Sequence, residues 1–589
     1  MLDCVLLLLS FLASTGSAQP AATMSPAPVE IAISQETASQ RFERLAEDYW
    51  ETQMQLSPLY ATFVNHPRYQ DRLDDPSAAG RALDARERRR LLGGLSAIDR
   101  AALTEGERVS WDIMKLELDR SIEGDQHKFW QWNIDHMDGP QSWIPSVVEM
   151  GQPMKTAEDA EALLLRMKAM PGYFAALSSN LREGLREGRI AAKVPVEKLL
   201  SQLDGLLKTP AAETPFAMAG KRLPPELRGP YLPQILAAVE THVFAAYADY
   251  QRFLKETYLP RARAERIGLS DLPGGLEAYG YQIRIHTTLD FTPDQLHQLG
   301  LEEVKGLRAE MQAVARRMGH RGELNAFMDK VRHDPKNFFS TREEVLKNAQ
   351  DLVAAAQLQL PKYFGRLPAT PLLVKPIEDY KEKNDVAARY YEPADDLTRP
   401  GIYYINTYQP ETRPRFSMTS LAAHEGVPGH HLQIALAIEK RDLPTFRRHG
   451  GFNAFVEGWA LYSERLAAEM GLYKDDLSRV GMISDQALRA CRLVVDTGIH
   501  ARRWSRQQAI DYMKQNTPMS EDEIIAEVDR YTIWPGQALS YKVGQREIMA
   551  LRLQSKKALG SKFDLKRFHD DVLKNGAVPL SVLRSVILK

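Results

Sequence analysis

The stretch Leu421-Ala422-Ala423-His424-Glu425-Gly426-Val427-Pro428-Gly429-His430-His431-Leu432 decides how the chain is read. A metal-binding helix commonly sets two histidines four residues apart with a glutamate after the first. Four residues advance an ideal helix by about 400°, so both imidazoles reach one ion, and the glutamate can take a proton from a bound water. Here the position four after His424 is Pro428, and the next histidines stand six and seven along. On an ideal helix His430 falls about 240° round, on the wrong face. His431 falls near about 340° but roughly 10.5 Å up the axis. Neither pair works on an unbroken helix. Pro428 and Gly429 are the residues that break or bulge one, and a bulge there brings His430 back beside His424. Which of His430 and His431 is the second ligand stays open on spacing alone. The flanks are apolar, from Leu421 to Ala423 and again at Leu432, Ile434, Leu436 and Ile438. Ionisable groups in such a segment are costly unless paired or metal-bound.

A third ligand is expected, and Glu457 is the candidate: it stands alone in the apolar run Phe452 to Ala460. A lone carboxylate there needs a cation. Glu464, seven residues on, either holds a ligand histidine through a hydrogen bond or is a solvated residue beside Arg465. Downstream, Asp485, Arg489, Arg492, Asp496 and His500 are spaced 4, 3, 4 and 4, one charged stripe on an otherwise apolar helix. The stripe is either an internal salt-bridge ladder or the wall of a polar cavity. In the second case Arg489 or Arg492 meets a substrate carboxylate or supports the ligands, and His500 serves an oxyanion or leaving group. Tyr531 precedes Trp534-Pro535-Gly536, and Tyr541 follows about one helical turn into the next segment.

Outward from the motif, helices are expected over residues 39–53, 81–95, 107–121, 195–208, 236–258, 292–317 and 341–358. Residues 157–170 and 173–188 read as a helical hairpin. Residues 129–152 are rich in aromatics and loop formers, and either line a pocket or fill a core. Val386 to Thr407 changes to a two-residue period and suggests short strands, with Tyr403, Tyr404 and Asn406 in the second. An exposed edge there offers unpaired backbone to a substrate strand. Helices resume over 421–440, 452–470, 476–504, 506–516, 520–531 and 537–556. The fold class is therefore mainly α with a small sheet beside the motif helix.

The 589 residues are 44% hydrophobic and 26% charged, with 76 basic and 77 acidic side chains. That balance argues against binding nucleic acid by bulk phosphate neutralisation. Zinc-finger, P-loop and dinucleotide patterns are absent. Residues 1–18 read as a signal peptide with a short apolar core and small residues before Gln19, although no positive charge stands near Met1. Cys4 lacks a preceding lipobox. Residues 19–37 read as a flexible leader, and residues 38–585 as one helical domain. Its two halves are 38–380, mainly helical, and 381–585, carrying the motifs. Export implies a periplasmic or secreted location, and no later run is long and apolar enough to span a membrane.

The ordered motifs resemble the DUF885 family: His424-Glu425, Pro428-Gly429-His430 and Gln433; Glu457-Gly458-Trp459-Ala460 and Tyr462; Asp496, Gly498, Ile499 and His500; Arg530-Tyr531; and Pro535 to Ala538, Tyr541 and Gly544. The family is in turn similar to the gluzincin metallopeptidases of the angiotensin-converting-enzyme, oligopeptidase and carboxypeptidase type. That resemblance implies a deep central groove and zinc on His424, His430 and Glu457, with His431 as the alternative second histidine. It implies Glu425 as general base, Tyr541 and His500 as oxyanion donors, and a short peptide as substrate. Glu464, Asp485, Arg489, Arg492, Asp496, Tyr403, Tyr404 and Tyr531 are the expected supporting residues. The same motif leaves two other readings: a metal-dependent amidase or esterase, or a noncatalytic helical protein.

Overall fold

Many of the longer helices open on side chains that answer the unpaired N–H groups of a first turn. Thr104, Thr156, Thr292, Asp475, Ser505 and Ser520 each form a reciprocal capping box with the third helical residue. In the computed structural model residues 36–377, 382, 386–397 and 399–588 are described, so the segments read as a signal peptide and, nearly all of it, as a flexible leader lie outside the described residues. Residues from Ala38 onward form one compact unit. It is mainly helical, and among the described residues no helix is long and apolar enough to cross a membrane.

The helices that position the site are α1 (Gly275–Thr287), α2 (Pro293–Arg317), α3 (His430–Glu439), α4 (Asn453–Glu469), α5 (Asp476–Arg502), α6 (Glu521–Ile533) and α7 (Ser540–Leu559). Buried apolar side chains gather mainly in two cores. One joins α2 to α7 with the first helices of the chain. The other is built from residues between Leu59 and Tyr258.

Helix α5 is buried over most of its circumference. Helices α4 and α7 cross at glycine on glycine. A Cβ on Gly458 would lie 2.4 Å from the Gly544 Cα, and one on Gly544 would lie 1.7 Å from the Ala454 carbonyl oxygen. Only hydrogen side chains permit that approach. It brings Tyr541, one turn before Gly544, near enough to Glu457, the neighbour of Gly458, for the carboxylate charge to act on its hydroxyl.

Three expectations are corrected. The hairpin is a single helix, Ala157–Glu187, with Pro171 inside it. Met167, Met170, Phe174 and Leu181 carry one buried face straight through the proline, and that packing outweighs one lost hydrogen bond. Residues 421–440 are not one helix. The chain makes a π-helical turn over Ala422–Gly426, runs extended at Val427, has a cis Val427–Pro428 bond, and starts α3 at His430.

The strand containing Tyr403 is not an edge. β1 (Leu372–Pro376), β2 (Ala388–Tyr391) and β3 (Gly401–Ile405) are ordered β1-β3-β2. β3 pairs parallel with β1 and antiparallel with β2. Its backbone is used on both sides, which rules out strand addition there. β1 escaped notice because Leu372, Leu373 and Val374 are all apolar, so its residue types do not alternate although its exposure largely does.

Candidate metal centre

The break in the motif segment brings His424 and His430 together. The wider π turn shifts His424 relative to an α-helical path, and the Pro428-Gly429 step resets the direction of α3. A Cβ on Gly429 would lie 2.0 Å from the His424 carbonyl oxygen, so the fold-back requires glycine. The Trp459 indole N–H donates to the Pro428 carbonyl at 2.8 Å and ties the corner to α4. The two imidazoles meet edge to face with centroids 4.8 Å apart.

Glu457 completes the cluster from α4. Its Oε2 lies 3.4 Å from His424 Nε2 and 3.6 Å from His430 Nε2. One donor atom from each of the three residues falls within 4.8 Å of the others. Donors about 2.0–2.2 Å from a tetrahedral ion stand about 3.3 Å apart, so the cluster could hold a metal ion once its donors close in. Among the described residues, Glu457 Oε2 and His430 Nδ1 are buried without a hydrogen-bond partner. Burial pushes the Glu457 carboxyl up, but the adjoining imidazoles outweigh it and hold the group well below its ordinary value. For His424, burial pulls the pKa down, and Glu457 and Glu464 reverse that, taking it to about 9. The cluster thus favours positive charge: two imidazole nitrogens and a carboxylate oxygen converge closely enough that they could hold a cation.

Glu464, also from α4, is buried and accepts a hydrogen bond from His424 Nδ1 at 2.9 Å. That bond presents His424 Nε2 to the cluster. Glu464 also receives the Gln486 amide at 2.9 Å and sits 3.6 Å from Arg489. Asp485 lies 3.5 Å from Arg489 and accepts the Ser420 hydroxyl; burial raises its carboxyl to about 7. Arg492 pairs with Glu527 at 2.8 Å, donates to the Tyr531 hydroxyl at 3.1 Å, and stacks 4.3 Å above the Tyr541 ring. Tyr531 therefore acts on Arg492, and Arg492 on Tyr541. Burial, then the Glu457 charge, raises the Tyr541 pKa against three guanidinium groups, so its hydroxyl stays protonated. Glu425 is half-buried. Its charge reaches Tyr403, whose buried hydroxyl has no hydrogen-bond partner among the described residues. Tyr404 packs its ring on Tyr391 in the sheet.

Three expected residues point elsewhere. His431 has both ring nitrogens engaged, Nδ1 with the Tyr390 hydroxyl at 3.0 Å and Nε2 with the Thr370 carbonyl at 3.2 Å. It anchors α3 to the sheet, which removes it as the second ligand. His500 accepts from the Leu269 N–H at Nδ1 and donates from Nε2 to the Tyr531 carbonyl. Burial lowers its pKa to about 4, so it is neutral and spent on these bonds rather than free for an oxyanion. Asp496 accepts from the Tyr279 hydroxyl at 2.6 Å and from the Gly536 N–H at 3.1 Å, clamping α1 and the turn before α7. The stripe on α5 divides accordingly. Its first three residues serve the cluster and Tyr541, and its last two hold neighbouring elements.

Sequence reasoning missed Ser420, Gln486, Glu527 and Lys542. Gln486, Lys542 and Gln545 are buried polar groups on otherwise apolar helix faces, the one pattern that could have exposed them. The aromatic stretch supplies Phe129 and Trp132 to a cavity of about 290 Å³ with Arg263 and Gln282 in its wall, and none of the cluster residues lines it.

Two solved structures share the fold. A candidate lipoprotein from Colwellia psychrerythraea matches with a TM-score of 0.88 and 28% identity, over 94% of this chain and 99% of the other. A candidate lipoprotein of unknown function from Shewanella oneidensis matches with a TM-score of 0.72 and 21% identity, over 93% of this chain and all of the other; at that identity the likeness is one of fold. No functionally curated protein matches significantly. The family model described as DUF885, bacterial protein of unknown function, matches residues 58–587, and the chain belongs to that family.

Proposed function

We propose that this protein is a metal-dependent hydrolase that cleaves an amide, peptide or ester bond, with zinc on His424, His430 and Glu457. The observation that carries the reading is the convergence of two imidazoles and a buried carboxylate oxygen that lacks a hydrogen-bond partner. Zinc fits because the donors are nitrogen and oxygen, three in number, and spaced for a tetrahedral site. When bound, the ion supplies Lewis acidity and lowers the pKa of a water at the open fourth position.

The chain's own groups do the rest. Glu425 takes a proton from the attacking water and returns it to the leaving group. Tyr541, protonated and backed by Arg492, donates to the oxyanion of the tetrahedral intermediate. Tyr403 supplies a second donor near Glu425. Glu464 holds the tautomer of His424 and strengthens it as a ligand. A short peptide in a gluzincin-like groove is the narrowest form of this reading. Lipoprotein relatives support an exported location.

A noncatalytic reading draws on one observation: Glu457 and Glu464 both pair with His424, and His430 and Arg489 beside them offset the remaining carboxylate charge. One experiment separates the two. Zinc-loaded wild type and Glu425→Gln are compared on panels of peptides, amides and esters. Turnover by wild type, lost by about 100-fold or more in a variant that keeps its zinc, is the expected result. Equal turnover in both overturns the role of Glu425, and no turnover by loaded wild type across the panels favours the noncatalytic reading.

A further inference from the structure

A buried lysine lies behind the metal cluster. Lys542 is 1% exposed, beside Tyr541 on α7. Its ammonium donates to Gln486 Oε1 at 2.8 Å and to Gln545 Oε1 at 2.6 Å. The nearest carboxylate that pairs with it, Glu303, is 3.9 Å away. Burying an ammonium against two neutral amides is costly, and burial lowers its pKa to about 7. Apolar side chains fill such positions at lower cost, so the lysine calls for a reason.

The hydrogen-bond directions supply one. An ammonium only donates. Both glutamines must turn their oxygens toward Lys542 and their N–H groups away. Gln545 then donates to Gln486 Oε1 at 2.8 Å and to the Leu461 carbonyl at 2.9 Å. Gln486 donates to Glu464 Oε2 at 2.9 Å. With that oxygen occupied, Glu464 Oε1 accepts from His424 Nδ1 at 2.9 Å, which presents Nε2 to the cluster. A flipped Gln486 would set an amide oxygen against the Glu464 carboxylate and disturb that arrangement.

We infer that Lys542 is a positioning residue for the metal centre, acting through Gln486 and Glu464 to fix the tautomer and orientation of His424. The inference rests on the proposed metal site. It deepens that site by adding a polar layer beyond the residue that touches the ligand histidine. The relay runs through one donor direction at each link, and Gln545 locks the one amide that could turn.

The test is zinc affinity, measured by competition with a chromophoric chelator on wild type, Lys542→Met, Gln486→Leu and the double variant. Loss of a group that orients a ligand weakens metal binding about 10- to 100-fold. Each single variant should weaken binding at least about ten-fold, and the double variant should lose little more than Gln486→Leu, because both act on one path. The cobalt-substituted variants should show a shifted visible absorption band, which a purely structural role would not produce. Folded variants that bind zinc as wild type does and keep its cobalt spectrum overturn the inference, even if their apo-protein melts earlier. Gln486→Leu carries the test alone should Lys542→Met fail to fold. A wild type that binds no zinc overturns the metal site itself and the inference with it, and is thereby distinct from failure of the lysine's role.

Discussion

Arg166 and the His424 cluster are both buried ionisable sites, and they close their bonding in opposite ways. Arg166 is 0% exposed in the helix Ala157–Glu187. Its guanidinium donates to the Arg72 carbonyl at 2.9 Å, to the Thr62 hydroxyl at 2.8 Å, to the Tyr69 carbonyl at 3.1 Å and to the Gln152 side chain. Neutral acceptors surround a cation, and the segment over residues 57–72, which includes the short helix Pro58–Phe63, is tied to the helix beneath it. At the cluster, two imidazoles and a carboxylate converge on one another, and Glu457 Oε2 and His430 Nδ1 have no hydrogen-bond partner among the described residues. Burial alone therefore does not mark a functional site. Convergence of metal-ligand donors on one point, with one of their oxygens left unpaired, is the sharper mark.

Substitutions break the comparison in different currencies. Glu457→Gln should reduce bound zinc from about one ion per chain to nearly none while circular dichroism stays close to wild type, since the carboxylate charge is what completes a neutralising ligand set. Arg166→Met should do the reverse. It leaves several buried acceptors unpaired, so a loss of about 3 kcal/mol in denaturant unfolding is expected, with zinc per folded chain unchanged.

Gly544→Ala lies between these extremes. Its Cβ would press on the Ala454 carbonyl, so about 1–3 kcal/mol of stability should go, and zinc-dependent turnover should fall with the displacement of Tyr541 from Glu457. Unchanged stability would contradict the close helix crossing.

The smallest effect is a pH slope. Burial raises the Asp496 carboxyl from 3.8 to about 7, while the Tyr279 and Gly536 bonds oppose that rise. A raised carboxyl favours the protonated folded state. Its contribution is complete below about pH 4 and is lost as pH climbs through 7. Asp496→Asn can keep the Tyr279 and Gly536 bonds without the charge, so its melting temperature should fall less than that of wild type between pH 5 and 8. Parallel curves would place the titration elsewhere.

Much of the helical framework was legible because its signals are local. Thr292 and Thr341 cap the helices they precede, and the apolar period of residues 476–504 matches α5 closely. The Pro171-Gly172 pair misled because a proline that a packed face can override looks the same in sequence as one that ends a helix.

At the site, the Pro428-Gly429 break pointed to a distortion, and the distortion brings His430 beside His424 where an unbroken helix would set it on the opposite face. His500 shows the opposite limit. Its place on the stripe suggested a free imidazole, but the Leu269 N–H and the Tyr531 carbonyl that occupy it come from residues 231 and 31 positions away. Lys542 and Gln486 were hidden for the same reason, since their partners converge only in three dimensions.

Zinc content by elemental analysis, on wild type, His424→Ala and His431→Ala after equilibration with zinc and dialysis, tests the central claim most directly. The expected result is about one zinc per chain in wild type and in His431→Ala, and almost none in His424→Ala. Absence of zinc from wild type, or equal loss in both histidine variants, would contradict the assignment of the centre to His424, His430 and Glu457.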